Sequence, residues 1–194
     1  MERFAIYYLH DPERFDFEDM VRPDGAVAGM AQLKDEGLVD AIGVAGGDIA
    51  QMYRYVDTGV FDILLNHSRY TLLDQSANGL IDHALSSGLS FVNAAPYASG
   101  VLAKPPAAKP YYQYAPPSQQ IIDTTARLRA LCATYDVPLA ALALQFSTRD
   151  PRISSTVVGV SAPERVDELV VNATIDIPVG LWNDVSALLE IDCP

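Results

Sequence analysis

Cysteine, basic residues and long apolar runs are all scarce in this chain, and each scarcity removes a class of protein. The 194 residues hold two cysteines. Cys132 and Cys193 show neither a CxxC spacing nor the paired pattern of a secreted disulfide scaffold, so a reducing, cytoplasmic setting is expected. Thirteen Lys and Arg stand against 25 Asp and Glu, a formal net charge of -12, which opposes polyanions over most of the surface; nucleic acid is not an expected partner. A bound phosphate stays compatible with this balance, because helix N-termini and single arginines act at short range. No window approaches the ~20 apolar residues of a membrane span, and no basic, apolar and small-residue series marks a leader, so neither a membrane nor a targeting signal is expected. His10, Asp11 and His67 suggest a metal-dependent hydrolase, but they lack an HxH pair or other ligand spacing, so no metal is expected.

What is present is a repeating cycle. "FAIYYLHDP" reads as a strand, and "GAVAGMAQLKDEG" has Val27, Met30, Ala31 and Leu33 at helical spacing before Gly37 closes the helix. "VDAIGVAGG" is a strand, "DIAQMYRYVDTG" a helix, "VFDILLNHSRY" a strand, "DQSANGLIDHALSSG" a helix closed by Gly88, and "LSFVNAAPYASG" a strand. The segment between the first strand and first helix, "ERFDFEDMVRPDG", reads as a polar loop. The cycle breaks at "AKPPAAKPYYQYAPPS", whose prolines predict one long surface loop of the lid or binding type, with Tyr111, Tyr112 and Tyr114 on it. Two helices follow, with Pro138 at the first turn of the second; then come a strand in "ISSTVVGV" and two final helices. About five near-continuous apolar strands alternating with helices predict an α/β fold with a parallel sheet buried on both faces, in one domain over residues 1–194. Periodicity does not separate an open sheet from a barrel.

In either architecture ligands meet the C-terminal ends of the strands. Those ends carry His10 and Asp11, Ala45 to Asp48, Asn66 and His67, Ala94 to Gly100, and Gly159 to Arg165. Two of the three histidines fall in this set. "VVGVSAPERVDE" runs from a strand into a helix opened by Ser161 or Ala162 with Pro163 at its first turn, so free amides and Arg165 are predicted to suit a phosphate or an adenine.

The motifs "YYLHDP", "AIGVAGG", "SRYTLLDQSA", "NAAPYASGVLA" and "VVGVSAPERVDEL" together resemble the aldo-keto reductases, in their branch of aldose, fucose and pyridoxal dehydrogenases. The resemblance spans essentially the whole chain. It implies a partial (β/α)8 TIM barrel, strands four to eight with their helices, with the first three βα units absent. It implies an oxidoreductase that moves a hydride between NAD or NADP and a small aldehyde or aldose. An inactive fragment, or a cofactor-binding subunit needing the other units, is the alternative.

By that resemblance His10 is the catalytic residue that hydrogen-bonds the substrate oxygen. The family's proton-donor tyrosine, with its lysine and aspartate, belongs to the units that have no counterpart here. Cofactor-binding roles fall to Asn66 and His67, to Ala95, Pro96, Ala98, Ser99, Gly100 and Val101 around the pyrophosphate, and to Gly159, Ser161, Arg165 and Glu168 at the adenosine end. The sequence departs from the family at Ala45 and Gly46, where a Ser-Asn pair usually stands, at His67 in place of glutamine, near Ala94 in place of a stacking aromatic, and at Leu169 in place of asparagine. No lysine is close to Gly159 in sequence, which favours NAD. Exposed strand edges on Phe4 to Leu9 and Ser154 to Gly159 point to self-association.

Overall fold

The computed structural model describes residues 3–104, 111–113, 115–191 and 193–194. The strands are β1 (Phe4–His10), β2 (Val39–Gly46), β3 (Ile63–His67), β4 (Ser90–Ala94) and β5 (Ser155–Val157). The helices are α1 (Phe17–Val21), α2 (Ala26–Asp35), α3 (Ile49–Asp57), α4 (Asn78–Ser86), α5 (Gln119–Thr134), α6 (Leu139–Thr148), α7 (Glu164–Thr174) and α8 (Val179–Leu189). Two 3-10 turns, Pro12–Arg14 and Ala98–Gly100, follow β1 and β4.

The sheet order is β1-β2-β3-β4-β5, and the first three pairings are parallel. Each neighbour is the next strand in the chain, reached through a helix. The order never reverses, so the sheet has no switch point of the doubly wound kind; the sequential order is that of a barrel sheet.

Backbone contacts divide the chain into two compact units. The first comprises Met1–Arg69, Ser76–Ala94 and Arg152–Ser155. Its core is built where β2, β3 and β4 meet α3 and α4, from Ile42, Val44, Met52, Tyr55, Leu64, Leu80, Ile81 and Phe91, all without exposed surface. The left-handed glycines Gly37 and Gly88 end α2 and α4 and turn the chain into the next strand. The second unit comprises Tyr70–Gln75, Ala95–Pro151 and Thr156–Pro194. There α6 is buried from Ala141 to Ser147, and Phe146 stacks on Tyr70 with ring centroids 5.0 Å apart. The Tyr70 hydroxyl donates to the buried Asp150 carboxylate.

Three expectations change. The segment read as a polar loop holds α1, because Asp16 caps it by accepting from the Glu18 and Asp19 amides at 2.9 and 3.3 Å. β1 is not buried on both faces: Phe4 is 59% exposed and Ile6 and Tyr7 are also exposed, since β1 pairs only with β2. β5 is three residues long, shorter than its apolar run suggested. The proline-rich loop lies in part, at residues 105–110 and 114, outside the described residues. Nearby, Tyr112 and Ala115 exchange backbone hydrogen bonds at 2.8 and 3.0 Å. No single helix among the described residues is long and apolar enough to cross a membrane.

Candidate functional site

In the first unit the parallel register aligns the strand ends. His10 stands opposite Ala45, Gly46 opposite Asn66, and His67 opposite Ala94. The chain leaves β1 through Asp11 in the left-handed region, a conformation aspartate tolerates better than most residues. The Asp11 amide continues the ladder by donating to the Ala45 carbonyl at 2.8 Å. The His10 side chain is 72% exposed, with Nδ1 3.3 Å from the Asp11 carboxylate, whose other oxygen meets Arg14 at 2.9 Å. His10 is therefore presented to solvent at the strand end, with a ring nitrogen close to a carboxylate.

The Gly46-Gly47 pair at the end of β2 organises what lies around it. Glu13, on the 3-10 turn after β1, accepts the Gly47 amide at 2.6 Å. The Asn66 side chain donates to the Gly46 carbonyl at 2.8 Å. A methyl group on Gly46 would stand 2.4 Å from a Glu13 oxygen, and one on Gly47 would stand 2.6 Å from the His67 ring. Two glycines thus admit a carboxylate and an imidazole close to the backbone.

In the second unit the loop after β4 and the segment running from β5 into α7 enclose a cavity of about 380 Å³. Of the sequence-predicted residues, Ala95, Pro96, Ser99, Gly100, Gly159, Ser161, Arg165 and Glu168 line it. Ala98 and Val101 do not; Ala98 is buried beneath the loop. The loop backbone is strained: Ala95, Ala98 and Ser99 hold φ of 59°, 48° and 59°, and Gly100 continues the left-handed run at 90°. Non-glycine residues in this region cost of order 1 kcal/mol each and persist where surrounding structure enforces them. Within this run the Ala95, Ala98 and Gly100 amides donate to the Val157, Ala95 and Tyr97 carbonyls at 3.1, 3.0 and 2.8 Å, which holds the loop in this conformation.

Tyr97, inside the strand-end segment Ala94 to Gly100, also lines the cavity, as do Lys104 and Asn172, which sequence reasoning missed. Burial raises the Tyr97 phenol above its ordinary value, the Asn172 hydrogen bond lowers it, and the Glu168 carboxylate adds to the rise. Lys104 corrects the reading of the cofactor: it lines the same cavity as Gly159, so the absence of a sequence-near lysine no longer favours NAD over NADP. The Ala98–Gly100 turn places it there, with the Lys104 aliphatic chain 3.3 Å from where a Gly100 side chain would begin. No ion pair occupies Lys104 or Arg165 among the described residues. The α7 start also differs from the expectation. Glu164 opens the helix after Pro163, and no side chain caps it, Ser161 included. The predicted residues His10, Asn66 and His67 belong to the first unit.

The family model for the Aldo/keto reductase family matches residues 1–187. Over 196 aligned residues the chain is 31% identical to D-threo-aldose 1-dehydrogenase from a Pseudomonas species, covering 100% of this chain and 59% of that protein. It is 30% identical to pyridoxal 4-dehydrogenase from Microbacterium luteolum, covering 91% of this chain and 54% of the relative. The chain thus spans under two thirds of the length of these relatives. Among solved structures, an aldo-keto reductase from Bacillus halodurans superposes with a TM-score of 0.76 at 20% identity, covering 97% of this chain and 62% of that one, a likeness of fold.

Proposed function

Because the chain belongs to the aldo/keto reductase family, we propose that it serves nicotinamide-dependent oxidation or reduction of a small aldehyde or aldose, and that it corresponds to strands four to eight of a (β/α)8 barrel. The observation that carries this reading is the second-unit cavity, in which two strand-end loops, a left-handed backbone run and two cations converge. Those features fit a dinucleotide. Arg165 offers a planar fork to a phosphate or an adenine face, Lys104 adds a point charge, and Ser99 lines the same space. Glu168 offers an acceptor for a ribose hydroxyl. The bound nicotinamide would supply the hydride chemistry.

In the first unit, His10 orients the substrate oxygen through its exposed ring, and Asp11 holds that ring in place. The D-threo-aldose and pyridoxal named for the relatives are the first substrates to assay.

Titration of the purified chain with NAD and with NADP, followed by calorimetry, tests the cavity assignment. Arg165→Ala removes a charge-assisted contact worth about 1.5–3 kcal/mol, so the dissociation constant should rise roughly tenfold to a hundredfold. An unchanged constant for both nucleotides would remove the basis of the assignment.

A further inference from the structure

We infer that the ends of β1 and β3 form a binding site for a divalent transition-metal ion, with Asp11, Glu13 and His67 as its protein ligands. One carboxylate oxygen of Asp11, one of Glu13 and one ring nitrogen of His67 lie within 4.8 Å of one another. Donors around a zinc-sized ion at 2.0–2.2 Å stand roughly 3.4 Å apart, so closure by up to about 1.4 Å, within the reach of side-chain rotation, brings the three around one ion. The sequence reading excluded a metal on ligand spacing because it considered His10, Asp11 and His67. The fold supplies Glu13 instead, and leaves His10 beside Asp11 as an outer partner.

Independent observations around the same glycine pair call for a cation. Among the described residues Glu13 accepts only the Gly47 amide; its second oxygen is closed to solvent and has no hydrogen-bond partner there. No Lys, Arg or His forms an ion pair with Glu13 among the described residues. Asn66 is fully buried, and while its amide nitrogen donates to Gly46, its side-chain oxygen has no partner among the described residues. The orphaned atoms are thus a carboxylate oxygen and an amide oxygen, and both can only accept. Buried acceptors without donors are costly, and a cation with its bound water answers them. His67 forms no hydrogen bond among the described residues, so its ring is available as a ligand.

One imidazole and two carboxylates suit zinc or another first-row ion, whereas magnesium prefers oxygen ligands throughout. Asp11 is the weakest of the three donors, because Arg14 and His10 already face it.

The test uses the whole chain, stripped with chelator, re-dialysed against Zn²⁺, Co²⁺ or Mg²⁺ and analysed for bound metal by mass spectrometry. About one Zn²⁺ or Co²⁺ per chain is expected, with little Mg²⁺. His67→Ala and Glu13→Gln should each weaken binding at least tenfold and Asp11→Asn less, while His83→Ala, which alters an exposed imidazole paired with Asp57, should retain full binding. The thermal midpoint of the unaltered chain should rise with Zn²⁺, which decides the matter even if a variant fails to fold. Substoichiometric metal, no rise in midpoint, or equal loading of the unaltered chain and the His67 variant would overturn the site. None of these readouts needs nucleotide or turnover, so the result stands apart from the reductase reading.

Discussion

Gly46→Ala tests whether the glycine pair exists to admit Glu13. Gly46 lies in the ordinary extended region of β2, so alanine meets no backbone strain there, and by itself the exchange should stabilise by about 0.4–1 kcal/mol through the unfolded chain. The collision outweighs this. The new methyl would stand 2.4 Å from a Glu13 oxygen and 2.8 Å from the Met52 terminal carbon. Met52 can yield at its flexible end, but the carboxylate must retreat by about 1 Å to reach ordinary contact distance. That retreat stretches the 2.6 Å bond from the Gly47 amide beyond hydrogen-bonding range. Loss of a bond to a charged acceptor costs about 1.5–3 kcal/mol, so the net destabilisation is about 1–2 kcal/mol. Glu13→Ala loses the same bond and also empties the space. In the double variant the methyl therefore has room, and its cost should vanish. Urea unfolding of the two single variants and the double should give a coupling energy of about 1–2 kcal/mol in the direction of rescue. Additivity within about 0.5 kcal/mol would show that the glycine serves some purpose other than making room for Glu13.

Acid stability should depend on Asp62. Burial tends to raise its carboxyl, but the Lys34 hydrogen bond, the Ile42 amide and the Lys34 charge together hold it below its ordinary 3.8. A lowered folded value means that the stabilisation is fully present above the unfolded value and is lost as pH falls through the folded one, below about pH 4. Because the side chain is 38% exposed, screening keeps the effect under about 1 kcal/mol; Asp62→Asn should lower stability at pH 7 by that order and flatten the loss below pH 4, and an unchanged acid limb in urea titrations would refute it. The two cysteines should differ in reactivity. Cys132 is 1% exposed, and burial pushes its thiol up to about 11, so an aromatic disulfide reagent at pH 8 should modify Cys193 first and Cys132 only on unfolding; equal rates in the folded chain would contradict its placement in the core.

The alternation of strands and helices was legible because each element carries its own signal. Val27 and Met30 repeat on one face of α2 and are its buried residues, and Gly37 and Gly88 mark helix ends through their left-handed backbone. α1 was not legible: five residues are too few to show a helical period, and the capping of Asp16 reads in sequence as one more acidic residue in a polar stretch. The exposure of β1 was hidden for a different reason. Apolar strands look alike in sequence whether a neighbour covers them or not, and only the strand order reveals that Phe4 and Ile6 lie on an edge.

The candidate sites divide along the same line. Residues adjacent in sequence to a strand end, such as Ala95 and Pro96 or Gly159 and Ser161, could be named in advance because a parallel α/β sheet presents its C-terminal ends to ligands. Residues that reach a site by the folding of a loop could not. Lys104 returns to the cavity through a left-handed run in which Ala98 and Ser99 occupy positions where glycine would normally be sought, so the turn had no sequence signature. Glu13 reaches Gly47 across 34 residues and His67 reaches the same glycine from β3, and no spacing rule connects three such points. What the sequence did contain was the vacancy they need. A pair of glycines at the end of a buried strand contributes no packing of its own, and its presence is explained only when the atoms filling the two missing side-chain positions are a carboxylate oxygen and an imidazole ring.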